Sequence, residues 1–223
     1  SFEIQRGETM GLVGESGCGK STLGRCLIRL LDSTSGSVML QNPEDGSCID
    51  VTKVDAATMK DLRKRVQIVF QDPYSCLNPR LSVWELIAEP LMVNRVYSDK
   101  AAMRKRIREL MSTVGLAERL ENSYPHELDG GRRQRIGIAR SLALNPEFIV
   151  LDEPVSALDV CIQAQVLNLL NELQKEFNYT YVFISHNLSV VKHVSDRIAV
   201  MYLGQIAELS EYRELFKNPM HPY

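Results

Sequence analysis

A glycine-rich segment that directly follows an apolar run constrains this chain more than any other feature. The run Thr9–Val13 is typical of a buried strand, and a helical pattern begins just after the segment. The segment fits the pattern G-x-x-x-x-G-K-[ST] between a strand and a helix, the context that the pattern requires. Its residues, with the threonine that follows them, are Gly14, Glu15, Ser16, Gly17, Cys18, Gly19, Lys20, Ser21 and Thr22.

This segment has the chemistry of a phosphate-binding loop. Its glycines let backbone N–H groups converge on a phosphate, and the N-terminus of the following helix adds a favourable dipole. We expect Lys20 to reach the β- and γ-phosphates of a nucleotide and the hydroxyl of Ser21 to bind Mg²⁺. Only the backbone of Cys18 is needed, so its thiol is given no redox role. The sequence therefore predicts a nucleotide site, with an incidental glycine-rich turn as the alternative.

Two adjacent carboxylates follow a second apolar run. Asp152 and Glu153 come directly after residues 148–151, at the carboxyl end of a predicted strand, where open α/β sheets bind their ligands. Asp152 suits Mg²⁺, and Glu153 suits a general base that activates water. The alternative is a strand capped by acidic residues that face solvent. The phosphate-binding loop favours the catalytic interpretation.

The composition excludes several other classes of protein. The 26 Lys and Arg residues are balanced by 28 Asp and Glu residues, and this net charge of −2 argues against a dedicated nucleic-acid binder. No apolar stretch approaches the ~20 residues of a membrane-spanning helix, and no signal peptide is recognised. Any link to a membrane must therefore run through a partner. Five cysteines without a C-x-x-C pair favour a reducing, cytosolic setting over metal sites or disulfides.

Short apolar runs alternate with helical patterns and predict a parallel sheet covered on both faces. Besides Thr9–Val13, strands are expected at 37–40, 48–51, 66–70, 148–151, 181–184 and 198–201, with a turn over 42–46. A helix is expected over residues 162–177, with Asn178 as its stop. Residues 1–4 resemble the middle of a strand and 220–223 stop in a turn-like segment, so both termini are expected to be truncated.

The middle of the chain, from about residue 73 to residue 146, has a helical pattern without a convincing buried strand. One apolar stripe there is formed by Met103, Ile107, Leu110, Met111 and Val114, and Gly115 ends it. The basic residues around this stripe form a solvated helix face in the simpler interpretation and a basic patch in the other. We therefore predict a helical subdomain inserted into an α/β core.

Further motifs, in order along nearly the whole chain, resemble the nucleotide-binding subunit of an ATP-binding cassette (ABC) transporter. Gln71 is similar to the glutamine of the family's Q-loop, residues 156–159 to its D-loop, and His186 to its switch histidine. The family signature, usually LSGGQ, is resembled by Leu128, Asp129, Gly130, Gly131 and Arg132. Each motif alone is weak evidence for the family, but the order and spacing of all of them together are highly specific to it.

The resemblance implies a P-loop NTPase (RecA-like) fold. It has a parallel sheet core, a small antiparallel β subdomain and an inserted α-helical subdomain. Residues 1–72 and 147–223 would form the nucleotide-binding core, and residues 73–146 the helical subdomain with the signature. The implied catalytic residues are Glu153, His186 and Gln71, and the implied Mg²⁺ ligands are Ser21, Gln71 and Asp152.

The resemblance also implies a dimer. Two cassettes would lie head to tail, with ATP between the loop of one and the signature of the other. Gly130 and Gly131 open a helix and so offer a second anion site, and the implied nucleotide-binding residues include the signature and Asp159 of the D-loop. The family's permease would dock a coupling helix on the segment 82–91, where Trp84, Leu86, Ile87 and Leu91 line a groove or pack in the core.

Three segments resemble the peptide-importer branch of the family: 71–80, 153–159 and 218–223. In that branch such a subunit, here most similar to the second of two unlike ATPases, energises uptake of dipeptides or oligopeptides. The implied partners are a second ATPase subunit (the same or unlike), two transmembrane permease subunits and an external solute-binding protein, with no nucleic acid. The implied location is peripheral, on the cytoplasmic face of the inner membrane. Import of nickel or another small solute is the alternative.

The signature departs from the family pattern at two positions, since Asp129 replaces its serine and Arg132 its glutamine. A carboxylate about 4 Å from a γ-phosphate would cost roughly 4 kcal/mol per unit charge at an effective dielectric near 20. We expect Arg132 and Arg133 to compensate this charge. A subunit of a heterodimer that is impaired in hydrolysis remains an alternative, as does a family member that acts on DNA or ribosomes. The adenine-stacking aromatic of the family would precede Ser1.

Overall fold

A six-stranded sheet with helices on both faces forms the centre of the molecule. The structure is a computed structural model that describes residues 1–43 and 45–223. Of the predicted turn 42–46, Glu44 therefore lies outside the described residues. The strands of the sheet, in chain order, are β1 (Thr9–Val13), β4 (Val66–Val69), β5 (Phe148–Asp152), β6 (Thr180–Ile184), β7 (Arg197–Tyr202) and β8 (Gln205–Glu211). The two remaining strands, β2 (Met39–Gln41) and β3 (Cys48–Asp50), pair antiparallel with each other.

The order of strands in the large sheet is β4-β5-β6-β1-β7-β8. All neighbouring pairs are parallel except β7 and β8, which are antiparallel. The carboxyl ends of β4, β5, β6 and β1 therefore meet at one edge of the sheet, where open α/β sheets place their ligands.

Nine α-helices are present in the described part of the chain. They are α1 (Lys20–Leu27), α2 (Ala56–Arg65), α3 (Pro73–Cys76), α4 (Val83–Val93), α5 (Lys100–Thr113), α6 (Gly130–Leu142), α7 (Val160–Phe177), α8 (Leu188–Val194) and α9 (Tyr212–Lys217). Short 3₁₀ helices occur at Glu118–Leu120 and Pro125–Glu127. Residues 73–146 contain helices and no strand.

Alternate residues of the strands pack on opposite faces of the sheet, as the period of two requires. Val150 and Val182 belong to the core on one face, which includes Ile28 just after α1. Ile149 and Phe183 belong to the core on the other face, where α7 packs. The buried residues of α4, α5 and α6 join this second core, so the helices of the middle region share its apolar interior.

Most predicted elements are observed within one or two residues. The stripe on α5 is buried, with Ile107 and Met111 completely inaccessible. Asn178 ends α7 in the left-handed conformation, with φ 55°. One expectation was wrong and one strand was missed. Residues 1–4 form no strand, and β8 was not anticipated.

Candidate active site

The glycine-rich segment forms a loop between β1 and α1. Gly19 caps α1 with φ 105°, and Gly14 has φ 151°. A Cβ atom on Gly14 would lie 2.1 Å from the carbonyl oxygen of Met201, so only glycine fits between the loop and β7. The sequence pattern and the backbone geometry therefore agree at this position.

Lys20 holds the loop together through its ammonium group. Its Nζ donates hydrogen bonds to the carbonyl oxygens of Gly14 (2.8 Å) and Glu15 (2.7 Å). The residue is only 5% exposed, and the thiol of Cys18 lies 3.9 Å from Nζ. A buried cation thus lies at the N-terminus of α1, where the helix dipole also favours an anion.

Ser21 and Asp152 join the loop to the end of β5. The hydroxyl of Ser21 donates to Oδ1 of Asp152 over 2.7 Å, and Oδ2 lies 3.6 Å from a guanidinium nitrogen of Arg25. Asp152 is almost fully buried. A hydroxyl and a carboxylate are oxygen ligands of the kind that Mg²⁺ prefers, so the residues present fit this metal. The sequence reasoning missed Arg25, although its i, i+4 spacing from Ser21 places both on one face of α1.

Glu153 is flanked by two polar side chains from neighbouring strand ends. Its Oε1 lies 3.1 Å from Nδ1 of His186, which follows β6, and its Oε2 accepts from Nε2 of Gln71 (3.0 Å), which follows β4. The backbone N–H of Glu153 donates to the carbonyl oxygen of Ile184. The structure therefore brings together the three residues whose catalytic roles the family resemblance implies.

The signature segment opens α6 with a carboxylate cap. Oδ1 of Asp129 accepts from the backbone N–H of Arg132 (2.7 Å), and Oδ2 lies 3.5 Å from Nε of the same residue. Asp129 and Arg132 are about half exposed, and Leu128 before them is buried. The expected compensation of charge is thus provided by Arg132.

Arg133 does not take part in this compensation, and that part of the expectation was wrong. Its side chain is buried and donates from Nε to the carbonyl oxygen of Pro125. Its guanidinium carbon also lies 3.9 Å from the centroid of the Tyr74 ring. Arg133 therefore points away from the cap of α6 and contacts α3, which follows the Q-loop glutamine.

The signature packs against the D-loop. A Cβ on Gly130 would lie 3.0 Å from the side chain of Leu158, and one on Gly131 would lie 2.5 Å from Ile162 of α7. Asp159 caps α7 by accepting from the N–H of Ile162. Within the described residues, no hydrogen bond joins the signature to the phosphate-binding loop of the same chain.

The segment 82–91, which was expected to receive a coupling helix, packs mostly in the hydrophobic core. Leu86, Ile87 and Leu91 are at most 1% exposed, so the packing alternative is correct for these three. Trp84 is partly exposed and lines a pocket of about 290 Å³. The other residues that line this pocket are Ser82, Glu85, Arg104, Asn122 and Tyr124.

Comparison with known proteins agrees with this geometry. The model of the family described as ABC transporter matches residues 1–156. Over the whole chain, the oligopeptide transport ATP-binding protein OppF of Bacillus subtilis (strain 168) is 53% identical, with 72% of its own length covered. OppF of Salmonella typhimurium is 48% identical with 65% covered, and the glutathione import ATP-binding protein GsiA of Pectobacterium atrosepticum is 50% identical with 35% covered.

Solved structures of ATP-binding cassettes are also similar to this chain. The ATP-binding cassette MJ0796, in a dimeric post-hydrolysis state bound to ADP and Pi, gives a TM-score of 0.82 at 31% identity. That match covers 95% of this chain and 88% of the other. CbiO1 from Clostridium perfringens, part of the ABC transporter complex cbiONQ, gives a TM-score of 0.83 at 29% identity. This match covers 97% of this chain and 82% of the CbiO1 chain.

The fold and the site together define a nucleotide-binding P-loop NTPase, as the sequence predicted. The chain belongs to the ABC transporter family and corresponds to an ATPase cassette of that family. It spans about two thirds of the length of the oligopeptide relatives it matches. In the part of the chain that the structure describes, no helix is long and apolar enough to cross a bilayer.

Proposed function

We propose that this chain hydrolyses ATP in an importer that takes up dipeptides or oligopeptides. The observation that carries the proposal is the position of the Glu153 carboxylate, which is held between Gln71 and His186 beside the linked pair Ser21 and Asp152. The names of the similar proteins, oligopeptide transport and glutathione import ATP-binding proteins, support peptides as the imported solute.

Each part of the site has a separate role in this proposal. The loop 14–22 binds the phosphates of ATP through its backbone N–H groups and the ammonium of Lys20. Ser21, Gln71 and Asp152 would hold Mg²⁺, which neutralises charge on the phosphates when it is bound. Arg25 orients the Asp152 carboxylate through their ion pair.

Glu153 acts as the general base. Its carboxylate accepts a proton from the water that attacks the γ-phosphorus, while the bond to the β-phosphate oxygen breaks and ADP leaves. Gln71 orients the carboxylate, since Nε2 donates to Oε2. His186, which is more exposed than Glu153, contacts the γ-phosphate from the end of β6.

The remaining parts of the chain serve assembly. Residues 1–72 and 147–223 form the nucleotide-binding core, and residues 73–146 form the helical subdomain that presents the signature 128–132 to the nucleotide of a second cassette. Asp159 lies beside the signature at this dimer interface. The dimeric state of the similar cassette MJ0796 supports this arrangement.

The membrane partners are two permease subunits, to which an external solute-binding protein delivers the solute. The chain therefore works peripherally, on the cytoplasmic face of the inner membrane. The pocket beside Trp84 is the proposed docking site of a permease coupling helix. It lies on the helical subdomain and offers an indole surface with the charged groups of Glu85 and Arg104 at its margin. Nucleic acid has no part in this function.

Substitution of the base tests the hydrolytic role. The Glu153→Gln variant keeps the shape of the side chain but cannot accept the proton, so we expect turnover to fall by roughly 10²- to 10⁴-fold with ATP binding retained. Glu172→Gln, at an exposed position of α7, is the matched control and should hydrolyse ATP normally. Turnover of Glu153→Gln close to that of the control would contradict the assignment.

Uptake measurements test the solute. In cells that depend on this subunit, the Glu153→Gln variant should abolish uptake of a labelled tripeptide and leave nickel uptake unchanged. Loss of nickel uptake with normal peptide uptake would favour the alternative solute instead.

A further inference from the structure

A cavity of about 160 Å³ lies between the end of β4 and the helices α3, α4 and α6. Its walls are mostly apolar and include Phe70, Pro73, Leu77 and Pro90. It shares no lining residue with the pocket beside Trp84. A water molecule takes up about 30 Å³ in the liquid, so this space equals that of roughly five water molecules. The cavity is therefore large enough for a small organic molecule.

One face of α6 brings an unpaired hydrogen-bond donor to this cavity. Gln134, Gly137 and Ser141 line it at i, i+3 and i+7, and the hydroxyl of Ser141 is already bonded to the carbonyl oxygen of Ile138. Gln134 is only 1% exposed, and its Nε2 has no hydrogen-bond partner in the described structure. An unpaired buried donor destabilises the fold, so an occupant that accepts from it is favoured.

Arg140 adds a second unpaired donor and a positive charge to the same wall. Its terminal nitrogens donate to the carbonyl oxygen of Cys76 (3.0 Å) and to Oε2 of Glu89 (2.6 Å). Its Nε is buried and has no partner among the described residues. The Glu89 side chain is about half exposed, so solvent weakens this ion pair. The guanidinium therefore favours an anion over a neutral occupant.

We propose that this cavity binds a short aliphatic carboxylate. A carboxylate has two acceptor oxygens and no donor, which matches the unpaired N–H groups of Gln134 and Arg140. The hydrocarbon part of the ligand packs against the apolar walls and leaves water. Inorganic phosphate fits less well, because most of its oxygens would face apolar groups. The ligand lies between α3, which follows Gln71, and α6, which carries the signature.

The thiol of Cys76 reports whether the cavity is occupied. Cys76 lines the cavity, and burial raises the pKa of its thiol, so its alkylation is slow enough to follow. The nucleotide-free chain is treated with iodoacetamide at constant ionic strength, with or without isovalerate, and each modified cysteine is quantified by mass spectrometry. Cys161, an exposed thiol of α7, serves as the control within the same molecule.

Isovalerate should protect Cys76 and leave Cys161 unaffected. At about ten times its dissociation constant, we expect it to slow alkylation of Cys76 roughly tenfold, since only the unliganded chain reacts. Isopentylamine has a similar branched chain but carries an ammonium in place of the carboxylate, so it should give no protection. Absence of protection by isovalerate, or equal protection by the amine, would overturn the proposal.

Two variants test the site by different means. Gln134→Met keeps the length of the side chain but removes the donor. Gly137→Leu fills the cavity, because a Cβ on Gly137 would have no atom within 4 Å, and leucine suits a helix better than glycine does. Both variants should lose protection of Cys76 by isovalerate, whereas the control Gln165→Met, at an exposed position of α7, should retain it.

Protection that persists in both cavity variants would also overturn the proposal, because the ligand would then bind elsewhere. The rate of each variant with isovalerate is compared with the rate of the same variant without it, so a change in the basal reactivity of Cys76 does not affect the result. No nucleotide is present. The outcome is therefore independent of whether the chain hydrolyses ATP.

Discussion

The hydroxyl of Ser21 donates a hydrogen bond to Oδ1 of Asp152 over 2.7 Å, although 131 positions separate the two residues. This contact joins the first turn of α1 to the end of β5. Asp152→Asn keeps an oxygen that can accept the bond but loses the charge. We expect Mg²⁺-dependent hydrolysis to fall by about 100-fold, with little change in folding.

Hydrolysis measured over a range of Mg²⁺ concentrations checks this prediction. Asp61→Asn, which removes an exposed carboxylate of α2, is the control and should have no effect. Normal activity of Asp152→Asn at low Mg²⁺ would show that this carboxylate does not serve the metal.

A second prediction concerns the contact between Arg133 and Tyr74. Arg133 belongs to α6 and Tyr74 to α3, three residues after Gln71, so their contact links the signature helix to the Q-loop. Arg140 adds a second link, since it donates to the carbonyl oxygen of Cys76. A cation–π contact with a solvent-exposed ring, such as that of Tyr74, contributes about 0.5–1 kcal/mol. Tyr74→Leu should therefore lower kcat by about two- to fivefold and leave KM unchanged.

Steady-state ATP hydrolysis provides the measurement. Tyr74→Phe retains the ring and should restore kcat, and Tyr97→Leu tests the loss of an exposed tyrosine elsewhere. A higher KM with an unchanged kcat in Tyr74→Leu would contradict a catalytic role for this link between the signature helix and the Q-loop.

A third prediction concerns the buried phenol of Tyr181 in β6. The residue is 2% exposed, its hydroxyl has no hydrogen-bond partner in the described structure, and burial raises the pKa of the phenol. Removal of an unpaired buried hydroxyl is favourable, so Tyr181→Phe should increase the free energy of unfolding by about 1 kcal/mol at pH 7.

The advantage of Tyr181→Phe should grow above pH 10. Because the folded-state pKa of Tyr181 is raised, the unfolded chain ionises first, near the ordinary value of 10.0, and the parent protein loses stability as the pH rises. Urea denaturation at pH 7 and pH 10.5 measures both effects, with the exposed-site variant Tyr97→Phe as control. A destabilised Tyr181→Phe protein would mean that its hydroxyl has a partner in solution.

A fourth prediction uses the crowding around Cys18. Its thiol lies 3.9 Å from Nζ of Lys20, and a Cβ on Gly14 would lie 2.9 Å from the sulfur. An N-ethylmaleimide adduct would therefore fill the loop, and we expect binding of ATP to be lost after alkylation. Bound ATP should slow the reaction.

Variants identify the thiol responsible. Cys18→Ser should bind ATP before and after alkylation, whereas Cys161→Ser, which removes an exposed thiol of α7, should remain sensitive. Full sensitivity of Cys18→Ser would assign the effect to another cysteine.

The sequence predicted the parallel core because its strands are continuous apolar runs bounded by strong turn and helix signals. The strand β8 was missed for a physical reason. It is antiparallel at the edge of the sheet, its residues are only half-buried, and it mixes polar with apolar side chains. Leu203 and Gly204, both with positive φ, form the tight turn before it, but Leu-Gly is a weaker hairpin signal than Asn-Gly.

At the candidate site, the motifs predicted which residues belong to the site but not which hydrogen bonds they form with one another. Gln71, Glu153 and His186 were singled out separately, and their mutual contacts depend on the order of three strands, which spacing alone does not reveal. The direction of Arg133 could not be predicted either. Its backbone position in the first turn of α6 suits both a contact with Asp129 and the observed contact with Tyr74.

The backbone of Glu153 has φ 48°, a left-handed conformation that costs most residues about 1 kcal/mol or more. Glycine adopts this conformation without the steric penalty of a Cβ atom, so Glu153→Gly would relax the backbone and remove the base together. Thermal stability and ATP turnover therefore favour different residues at this position. Selection for heat resistance alone would replace the glutamate at this position. Selection for transport would retain it, with a less stable fold as the consequence.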